Sequence, residues 1–350
     1  MAGRHRDGFV TQLLDEFVSP TFFLVFGVLL IQLAFVYSYV GAFHHPEPHR
    51  VPIVVAAPAQ VSARAVQTLN SIPGSPVKAT PVATPAAALR DVRQGSTDGA
   101  LSVDSSSATD TLYVAGGGGA AVVEALEEVI GHAETAQRRQ VRFVDAVPAQ
   151  PGDARGLSGF YLVIGWLIGG YLVAALISIA RGASPAGIRG AMIRLTAFAL
   201  YAIVSGLGGA LIIGPWLGAL TGHLLAIWGI GTLLVFAAAT VTMAFQTVAG
   251  VLGIGLTLVL FVIIGNPSAG GAYPAPLLPG LWRTVSSYIP NGAGVQAVRK
   301  VVYFGGHGIT DNLIVIAIYV AAGLIVTLAV TARKGRAAPR SPRMMMTSNL

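Results

Sequence analysis

The sequence predicts an α-helical integral membrane protein with six transmembrane helices and a small extracytoplasmic α/β domain between the first two helices. Composition is the first observation behind this fold class: 54% of the 350 residues are hydrophobic and only 11% are charged. The second is that six long apolar stretches contain no Lys, Arg, Asp or Glu. A stretch of about 20 apolar residues is what an α-helix needs to cross a bilayer core.

The six apolar stretches define the predicted spans. They cover residues 21–43, 159–180, 195–217, 223–244, 248–265 and 312–331. The fourth and fifth belong to one continuous apolar run that is too long for a single crossing, so a turn is predicted at Phe245, Gln246 and Thr247. Residues 159–331 therefore form a five-helix membrane domain.

The basic residues set the predicted orientation. They precede the first span, separate the second span from the third, and follow the last: Arg4, Arg6, Arg181, Arg189, Arg194, Arg333, Lys334, Arg336, Arg340 and Arg343. With six crossings these groups share one side, and positive residues are retained in the cytoplasm. Both termini are thus predicted to lie in the cytoplasm of a bacterial cell, with the protein in the plasma membrane and lipid as its surroundings.

The two ends of the chain receive separate predictions. Residues 1–20 form an amphipathic lead-in that lies in the cytoplasmic interface. The first span is longer than the apolar part of a signal peptide, so it is predicted to remain as an uncleaved anchor. Residues 332–350 form a basic cytoplasmic tail.

Residues 44–158 are predicted to form the extracytoplasmic α/β domain. Strand patterns occur at 51–58, 77–82, 99–104, 111–116 and 141–147, and helical patterns occur around Val66 and Leu69, at 86–94 and at 120–137. Alternation of strands and helices indicates a partly parallel sheet. The chain has no cysteine, so this domain must be held by its own core without disulfides.

A glycine run between a strand and a helix could be read as a phosphate-binding loop. Residues 116–121 match the G-x-G-x-x-[G/A] form, in which backbone N–H groups approach an anion. The predicted location outside the cytoplasm argues against a nucleotide cofactor. A flexible turn is the preferred interpretation, and no cofactor is predicted.

Other polar groups raise the question of catalysis or metal binding. His44, His45, Glu47 and His49 have side chains that zinc or copper can bind, but Pro46 and Pro48 extend this segment, and a polar exit from the membrane is preferred. No hydrolytic triad or P-loop motif is present. No catalytic residue, metal or enzyme activity is predicted.

The spans themselves carry packing signals. They lack the charged residues that relay protons or bind coupling ions in pumps, so the energy for any transport would come from a partner. Gly165 and Gly169 have small-x-x-x-small spacing, and glycines recur at 206–209. These glycines predict close helix contacts. The basic residues do not cluster with aromatic residues, so nucleic acid is not predicted as a partner.

The loop after the fifth span is the most specific local sequence. Asn266, Pro267, Gly270 and Gly271 form a turn-rich start. A helical pattern then runs from Leu278 to Tyr288 and stops at Pro290, and a second short helix is predicted from Gly294 to Phe304. Both are too short to span and too apolar to stand in water, so residues 266–311 are predicted to form an outer re-entrant or interfacial loop.

These features together resemble a known family. The order of one span, a large outer domain and five spans resembles the YhgE/Pip and DUF3533-type branch of ABC-2-like membrane permeases. The stretch N-P-S-x-G-G…P…L-P-G…P…G…A-x-R is similar to the signature of that branch. HHPEPHRVPIVV and PGDARGLSGFYLVIGWLIGGYL, at the two ends of the outer domain, resemble actinobacterial members.

The resemblance implies an exporter permease subunit that moves a lipophilic or envelope-related compound outward and is powered by a separate ABC ATPase. It also implies a homodimer or paired permease. The implied outer gate comprises Asn266, Pro267, Gly270, Gly271, Pro279, Gly280, Pro290 and Arg299, and the implied cytoplasmic coupling loop contains Arg181, Arg189 and Arg194. The alternative is a non-transporting envelope scaffold or secretion accessory whose outer domain binds a partner.

Overall fold

The computed structural model describes residues 20–337, with side chains from Val25 to Arg336. Residues 1–19 of the predicted lead-in and residues 338–350 of the predicted tail lie outside the described residues. The helices are α1 Pro20–Phe43, α2 Ala59–Asn70, α3 Pro85–Arg93, α4 Ala120–Ala136, α5 Ser158–Arg181, α6 Gly187–Leu211, α7 Leu224–Ala249, α8 Leu252–Leu258, α9 Gly265–Ser268, α10 Gly280–Ser286, α11 Pro290–Tyr303 and α12 Ile309–Ala337. The strands are β1 Val51–Ala56, β2 Val77–Val82, β3 Gly99–Ser102, β4 Thr109–Val114 and β5 Gln140–Asp145.

The region between α1 and α5 contains a five-stranded mixed sheet, which we call the sheet domain (residues 51–145). The strand order is β2-β1-β3-β4-β5, and only the β3–β4 pair is antiparallel. Helices α2 and α4 pack on one face around Leu69, Leu126 and Ile130, and α3 packs on the other face. The first residue of each observed strand lies within two residues of the predicted start, because short apolar or alternating runs mark the strands in the sequence.

The rest of the described residues form a helical bundle centred on α7. Among the described residues, five helices are long and apolar enough to cross a membrane: α1, α5, α6 with its π-helical extension, α7 and α12. The predicted fifth span corresponds to a shorter apolar segment, Leu252–Ser268. The prediction of six long spans is therefore supported for five of them.

The short segment nevertheless runs alongside α1. A Cβ atom on Gly255 would lie 3.6 Å from Ile31, and farther along, Ser38 donates to the Ile263 carbonyl at 2.5 Å. These contacts place the segment parallel to α1. The segment includes the π-helical turn Val259–Ile264, which leaves its last turn, α9, beside α11.

The predicted turn at residues 245–247 is wrong. These residues continue α7, where Gln246 and Thr247 are fully buried. The chain reverses at Gly250, whose φ of +61° is a conformation that favours glycine. Apolar periodicity could not locate this turn, because the residues on both sides of it are apolar even where they are exposed, as at Val248, Val251 and Leu252.

Two other helix boundaries differ from the prediction. Helix α6 begins at Gly187 instead of residue 195, so the segment between α5 and α6 is short and Arg189 and Arg194 lie on the helix. Helix α12 extends from Ile309 to Ala337, beyond the predicted 312–331 on both sides. The predicted spans ended at charged residues, but a charged residue near a helix end does not stop the helix.

The glycines that bring the helices together are only partly those predicted. A Cβ on Gly165 would meet no atom within 4 Å, and one on Gly169 would lie 3.1 Å from the Tyr201 hydroxyl. Closer contacts occur at Gly170, where the Cβ would lie 2.5 Å from the Val235 carbonyl oxygen of α7, and at Gly206, where it would lie 2.7 Å from the Thr232 nitrogen. Two neighbouring helices therefore place a glycine against the backbone of α7.

The loop after the apolar segment contains two short helices in positions slightly different from those predicted. Helix α10 covers Gly280–Ser286, within the predicted 278–288. Helix α11 covers Pro290–Tyr303, so Pro290 starts this helix instead of ending the previous one. Proline is favoured in the first turn because its missing N–H needs no partner there.

Candidate functional site at the junction of the sheet domain and the bundle

Helix α11 connects the sheet domain to the bundle, and most of its residues are buried. Its first half packs into the bundle, where a Cβ on Gly294 would contact Leu234 of α7 and Val163 of α5. Asn291 donates at 2.9 Å to both the Phe261 carbonyl and the Asn266 side chain. These bonds fix the start of α11 to the end of the apolar segment.

The last turn of α11 packs against the sheet domain. The ring of Tyr303 lies where a side chain on Gly117 would be. Phe304 belongs to the apolar cluster that includes Ala88 and Val92 of α3, and its ring lies 2.8 Å from the Cβ position of Gly95. One helix of 14 residues thus contacts both halves of the protein.

Arg299 is the buried charge in this junction. Its side chain donates through Nη2 to the Gly271 carbonyl at 3.2 Å, and the residue is only 3% exposed. Its Nη1 atom has no hydrogen-bond partner. Among the residues described, no carboxylate lies within 4 Å of this guanidinium. The charge is balanced at longer range by Asp153 and Asp98.

Asp153 belongs to the linker between the sheet domain and α5 and is 2% exposed. Tyr303 donates its hydroxyl to Asp153 Oδ2 at 2.5 Å, and the Ser158 N–H donates to Oδ1 at 2.7 Å. Burial, and then the hydrogen bond to Asp153, raises the pKa of Tyr303. The phenol therefore stays protonated and keeps the linker attached to α11.

Burial shifts the titration of the two charges that face each other across the junction. It lowers the pKa of Arg299 to about 10, against the opposing effect of Asp153 and Asp98, so this guanidinium is charged at neutral pH. Burial raises the pKa of Asp98 to about 6, although the charge of Arg299 lowers it. Asp98 directly precedes β3, and burial thus brings its titration closer to neutral pH than that of an ordinary aspartate.

We expect this carboxylate to make stability pH-dependent. The folded-state pKa of about 6 exceeds the ordinary value of 3.8, so the folded state binds the proton more tightly than the unfolded state. Stability should fall as pH rises from about 4 to about 6 and stay low above that. This loss in the free energy of unfolding should be on the order of 1 to 2 kcal/mol, and Asp98→Asn should remove it. Thermal unfolding of both proteins across this range checks it, and identical slopes would contradict it.

The structure brings together most of the predicted outer-gate residues. Asn266 and Pro267 lie in the last turn of the apolar segment, and Gly270, two residues after it, has a φ of +74°. Gly271 accepts from Arg299 and packs against Phe160, whose ring occupies the place of a Cβ. Pro290 starts α11 close to these residues. Asn266 and Gly271 therefore contact α11, the helix that contains Pro290 and Arg299.

Pro279 and Gly280 belong to a separate contact. They begin α10, whose Trp282 indole N–H donates to Ser38 of α1 at 3.0 Å. The same ring lies 2.8 Å from the Cβ position of Gly41. Helix α10 thus attaches α1 to the junction.

Sequence reasoning missed Asp98, Asp153 and Tyr303. Each lies in a polar or mixed segment, where a charged or phenolic residue is expected to face solvent. Arg299 was found only through a family motif. The sequence does contain a signal for the burial of Arg299. Residues 290–303 have a helical pattern with apolar residues on more than one face, and an arginine in such a helix is expected to be buried.

The glycine run is a close-packing surface, which corrects the interpretation as a flexible turn. Residues 116–118 form one 3₁₀ turn, and Gly116, Gly117 and Gly119 each lie too near another residue for a side chain. A Cβ on Gly119 would lie 2.9 Å from Pro274 and 3.6 Å from Arg299 Nη2. Glycine is required here so that the sheet domain can approach the junction.

The histidines at the end of α1 do not converge with other ligands. His44 contacts the Val40 carbonyl of its own helix, and His45 lies 3.1 Å from Glu47. Among the described residues, no group of three or more His, Cys, Asp or Glu side chains could hold a metal ion.

The predicted coupling residues lie at the opposite end of the bundle. Arg181 and Arg189 are exposed, whereas Arg194 is 8% exposed and donates to the Arg181 carbonyl at 3.0 Å. Lys334 of α12 donates to Ser184 and to the Thr247 carbonyl. Of the three predicted arginines, Arg181 and Arg189 are thus accessible to a partner, and Arg194 has a structural position.

The junction can transmit displacement between the sheet domain and the bundle, because α11 is attached to the bundle at its start and to the sheet domain at its end. Because α11 carries the buried Arg299, the position of this helix is sensitive to any change that exposes or neutralises nearby carboxylates. No family model, curated protein or solved structure matches this chain.

Proposed function

We propose that the chain is the membrane subunit of an ABC-2-like exporter in a bacterial plasma membrane. It moves a lipophilic or envelope-related compound outward, and a separate ATPase supplies the energy. The sheet domain and α11 lie outside, and both termini lie in the cytoplasm. The observation that carries the proposal is α11, a short buried helix that is wedged between the long helices and the sheet domain.

The position of α11 supports a gate. A helix too short to cross the bilayer can lie at its outer surface only where its backbone is buried in protein, and α11 meets this condition. It contacts α5, α7 and α12 in the bundle. A tilt of α11 would therefore alter the packing of three long helices at once. Short outer helices of this kind also fit the resemblance to the YhgE/Pip and DUF3533-type permeases.

The other end of the bundle supports docking of an ATPase. Arg181 and Arg189 project from the ends of α5 and α6 beside a short connection. A basic surface on two adjoining helix ends is suited to an acidic partner. The described helices show no charged pair for ion coupling in their apolar stretches, and the sequence has no P-loop. A separate ATPase is therefore the proposed energy source.

The proposed oligomer is a homodimer or a paired permease. Helix α1 is mostly exposed, with Val28 and Tyr37 among its uncovered side chains. Helix α12 is also largely exposed along its apolar length. In a bilayer these surfaces contact lipid or a second subunit.

Co-purification from native membranes tests the proposal. A tagged chain should retain an ATPase with a P-loop, identified by mass spectrometry and by ATP hydrolysis in the eluate. Arg181→Glu combined with Arg189→Glu should reduce the retained ATPase about tenfold or more, because two attractive charges become repulsive. Arg142→Glu, on the exposed side of β5, is the matched control and should retain the ATPase. Equal amounts of ATPase with all three proteins, or none with any, would contradict the exporter proposal.

A scaffold that binds an envelope partner is the second candidate, and strand β5 favours it. This strand is at the edge of the sheet and is largely exposed, with Phe143 at 41%. An uncovered edge can pair with a strand from another protein. A cellular phenotype that is lost on Phe143→Glu and survives the double arginine substitution would support the scaffold over the exporter.

A further inference from the structure

The sheet domain contains a pocket on the side away from the bundle. It has a volume of about 370 Å³ and lies between α2 and α4, above the ends of β3 and β4. Asp98, which directly precedes β3, and Gly117, after β4, face the bundle. The carboxyl end of β3 and the start of β4 therefore lie at the far edge of the sheet.

The topology at this edge is one that commonly forms a ligand site. Strands β1 and β3 are parallel neighbours, and the chain leaves them in opposite directions, toward β2 and toward β4. Their carboxyl ends stay together, since the Val103 N–H donates to the Ala56 carbonyl. Ligands of open α/β sheets bind in the crevice at such a reversal of strand order.

The wall of the pocket is mainly apolar, and its acidic groups are clustered at one end. Val61, Ala65, Leu69 and Leu101 supply apolar surface, whereas Asp110 and Glu134 supply carboxylates. Asp110 and Glu134 are 1% and 3% exposed. Arg64 also borders the pocket, but it is exposed to solvent, which screens its charge.

The polar groups of this cluster are not equally satisfied. Arg139 donates to both oxygens of Asp110, at 2.6 and 2.5 Å, and through Nη2 also to the Asp104 carbonyl. Its Nε atom lies 3.7 Å from Glu134 Oε2, too far for a hydrogen bond. Glu134 Oε2 is thus a buried oxygen without a hydrogen-bond partner. An unpaired buried acceptor is costly unless a ligand donates to it.

We propose that this pocket binds a small amphipathic cation, whose ammonium group contacts Glu134 and whose apolar part lies between α2 and β3. Two carboxylates share one guanidinium, so the buried end of the pocket attracts positive charge. A carboxylate ligand would face both acidic residues, and a neutral alcohol would gain a hydrogen bond but no charge attraction. This inference concerns the sheet domain alone and is independent of the exporter proposal.

Titration of Glu134 should make the affinity for the ligand depend on pH. Burial raises the pKa of Glu134 to about 7, as do a hydrogen bond to Asp110 that only the protonated Glu134 carboxyl can donate and the negative charge of Asp110, although Arg139 lowers it. Asp104 and Arg64 are the other charged groups near this end of the pocket. An ammonium ligand prefers the ionised carboxylate, so its affinity should rise as the pH increases through about 7.

Protection of an introduced thiol tests the proposal on the full chain in lipid nanodiscs. The chain has no cysteine, so Thr68→Cys, in the wall of the pocket, gives a single thiol. Its rate of modification by methyl methanethiosulfonate is measured with increasing benzylammonium, benzyl alcohol or benzoate. These probes share an apolar body and differ in charge. Benzylammonium should protect the thiol with an affinity about tenfold higher than the other two.

Two further measurements identify Glu134 as the group responsible. In the Thr68→Cys protein, benzylammonium should bind more weakly at about pH 6 than at about pH 8, on either side of the Glu134 pKa of about 7. Adding Glu134→Gln should abolish both the preference for the ammonium and this pH dependence. Glu127→Gln, two turns earlier on α4, is the matched control and should change neither.

Several results would overturn the inference. Equal protection by the three probes would show an apolar crevice without charge selection. Stronger protection by benzoate would show that the arginines dominate the pocket. A thiol that reacts fully and is protected by none of the probes would show that the pocket does not bind this class of ligand. The probe comparison in the Thr68→Cys protein distinguishes these results even if Glu134→Gln prevents folding.

Discussion

Arg299→Met should destabilise the protein more than any other single substitution of a charged residue at the junction, by about 3 to 5 kcal/mol. The methionine fills much of the volume but removes the charge that balances Asp153 and Asp98. Asp153 is 2% exposed and would remain as a buried carboxylate without its cation. The Gly271 carbonyl would also lose its donor. Thermal or chemical unfolding in detergent or nanodiscs measures the effect.

A matched control separates loss of charge at this site from loss of charge in general. Arg283→Met, on α10, removes an arginine that is only half-buried, and it should change stability by about 0.5 kcal/mol or less. Comparable losses from Arg283→Met and Arg299→Met would show that the junction does not depend on the buried guanidinium.

Gly170→Val should have the largest effect within the bundle, about 3 kcal/mol or more, with loss of the folded protein at physiological temperature. The added Cβ would lie 2.5 Å from the Val235 carbonyl oxygen and 2.8 Å from the Ala238 Cβ. Both atoms belong to α7, and the carbonyl cannot rotate away as a side chain can. Helices α5 and α7 would have to separate. Size-exclusion chromatography and thermal unfolding of the purified protein measure this loss.

The same helix supplies a control for the glycine substitution itself. Gly165 lies on α5, and a Cβ there would meet no atom within 4 Å. Gly165→Val should therefore leave the protein folded, with a stability close to the original value. If both valine variants fold equally well, then α5 and α7 are not held together by the contact at Gly170.

Much of the sheet domain could be predicted from sequence, and the bundle could be predicted less fully. Strand β1 has the sequence VPIVVA and is buried at Val51, Ile53 and Val55, and a short apolar run of this kind is recognisable in the sequence as a buried strand. In α7, Val241 and Met243 are buried, and so are the flanking Thr240 and Thr242. Residues 237–244 of α7 are buried on every side and so show no periodic pattern, and the residues beyond them are apolar as well, so the end of the helix before Gly250 could not be located.

The junction was harder to predict because its residues come from distant parts of the chain. Tyr303 meets Asp153 across a separation of 150 residues. Apolar periodicity gives the existence of α11 but not which segments cover it. The motif around Gly271 and Arg299 was found through a family resemblance, and their contact became visible only in the structure. The glycine run was noticed in the sequence, but the ring that fills the space beside it was not.

Locking α11 to α5 is the most direct test of the proposal that movement of α11 opens the outer gate of an exporter. The Cβ position of Gly159 lies 3.8 Å from the Val298 Cβ, a separation typical of a disulfide. Gly159→Cys with Val298→Cys should therefore form a disulfide without a competing thiol, since the chain has no cysteine. Each single cysteine variant is a control.

The measurement is the survival of cells that carry the double variant in place of the native gene, on lipophilic compounds to which a deletion strain is sensitive. We predict that the oxidised double variant behaves like the deletion, that a membrane-permeant reductant restores survival, and that neither single variant is affected. Full survival with the disulfide quantitatively formed would contradict a gate at α11, because export would then proceed without movement between α11 and α5.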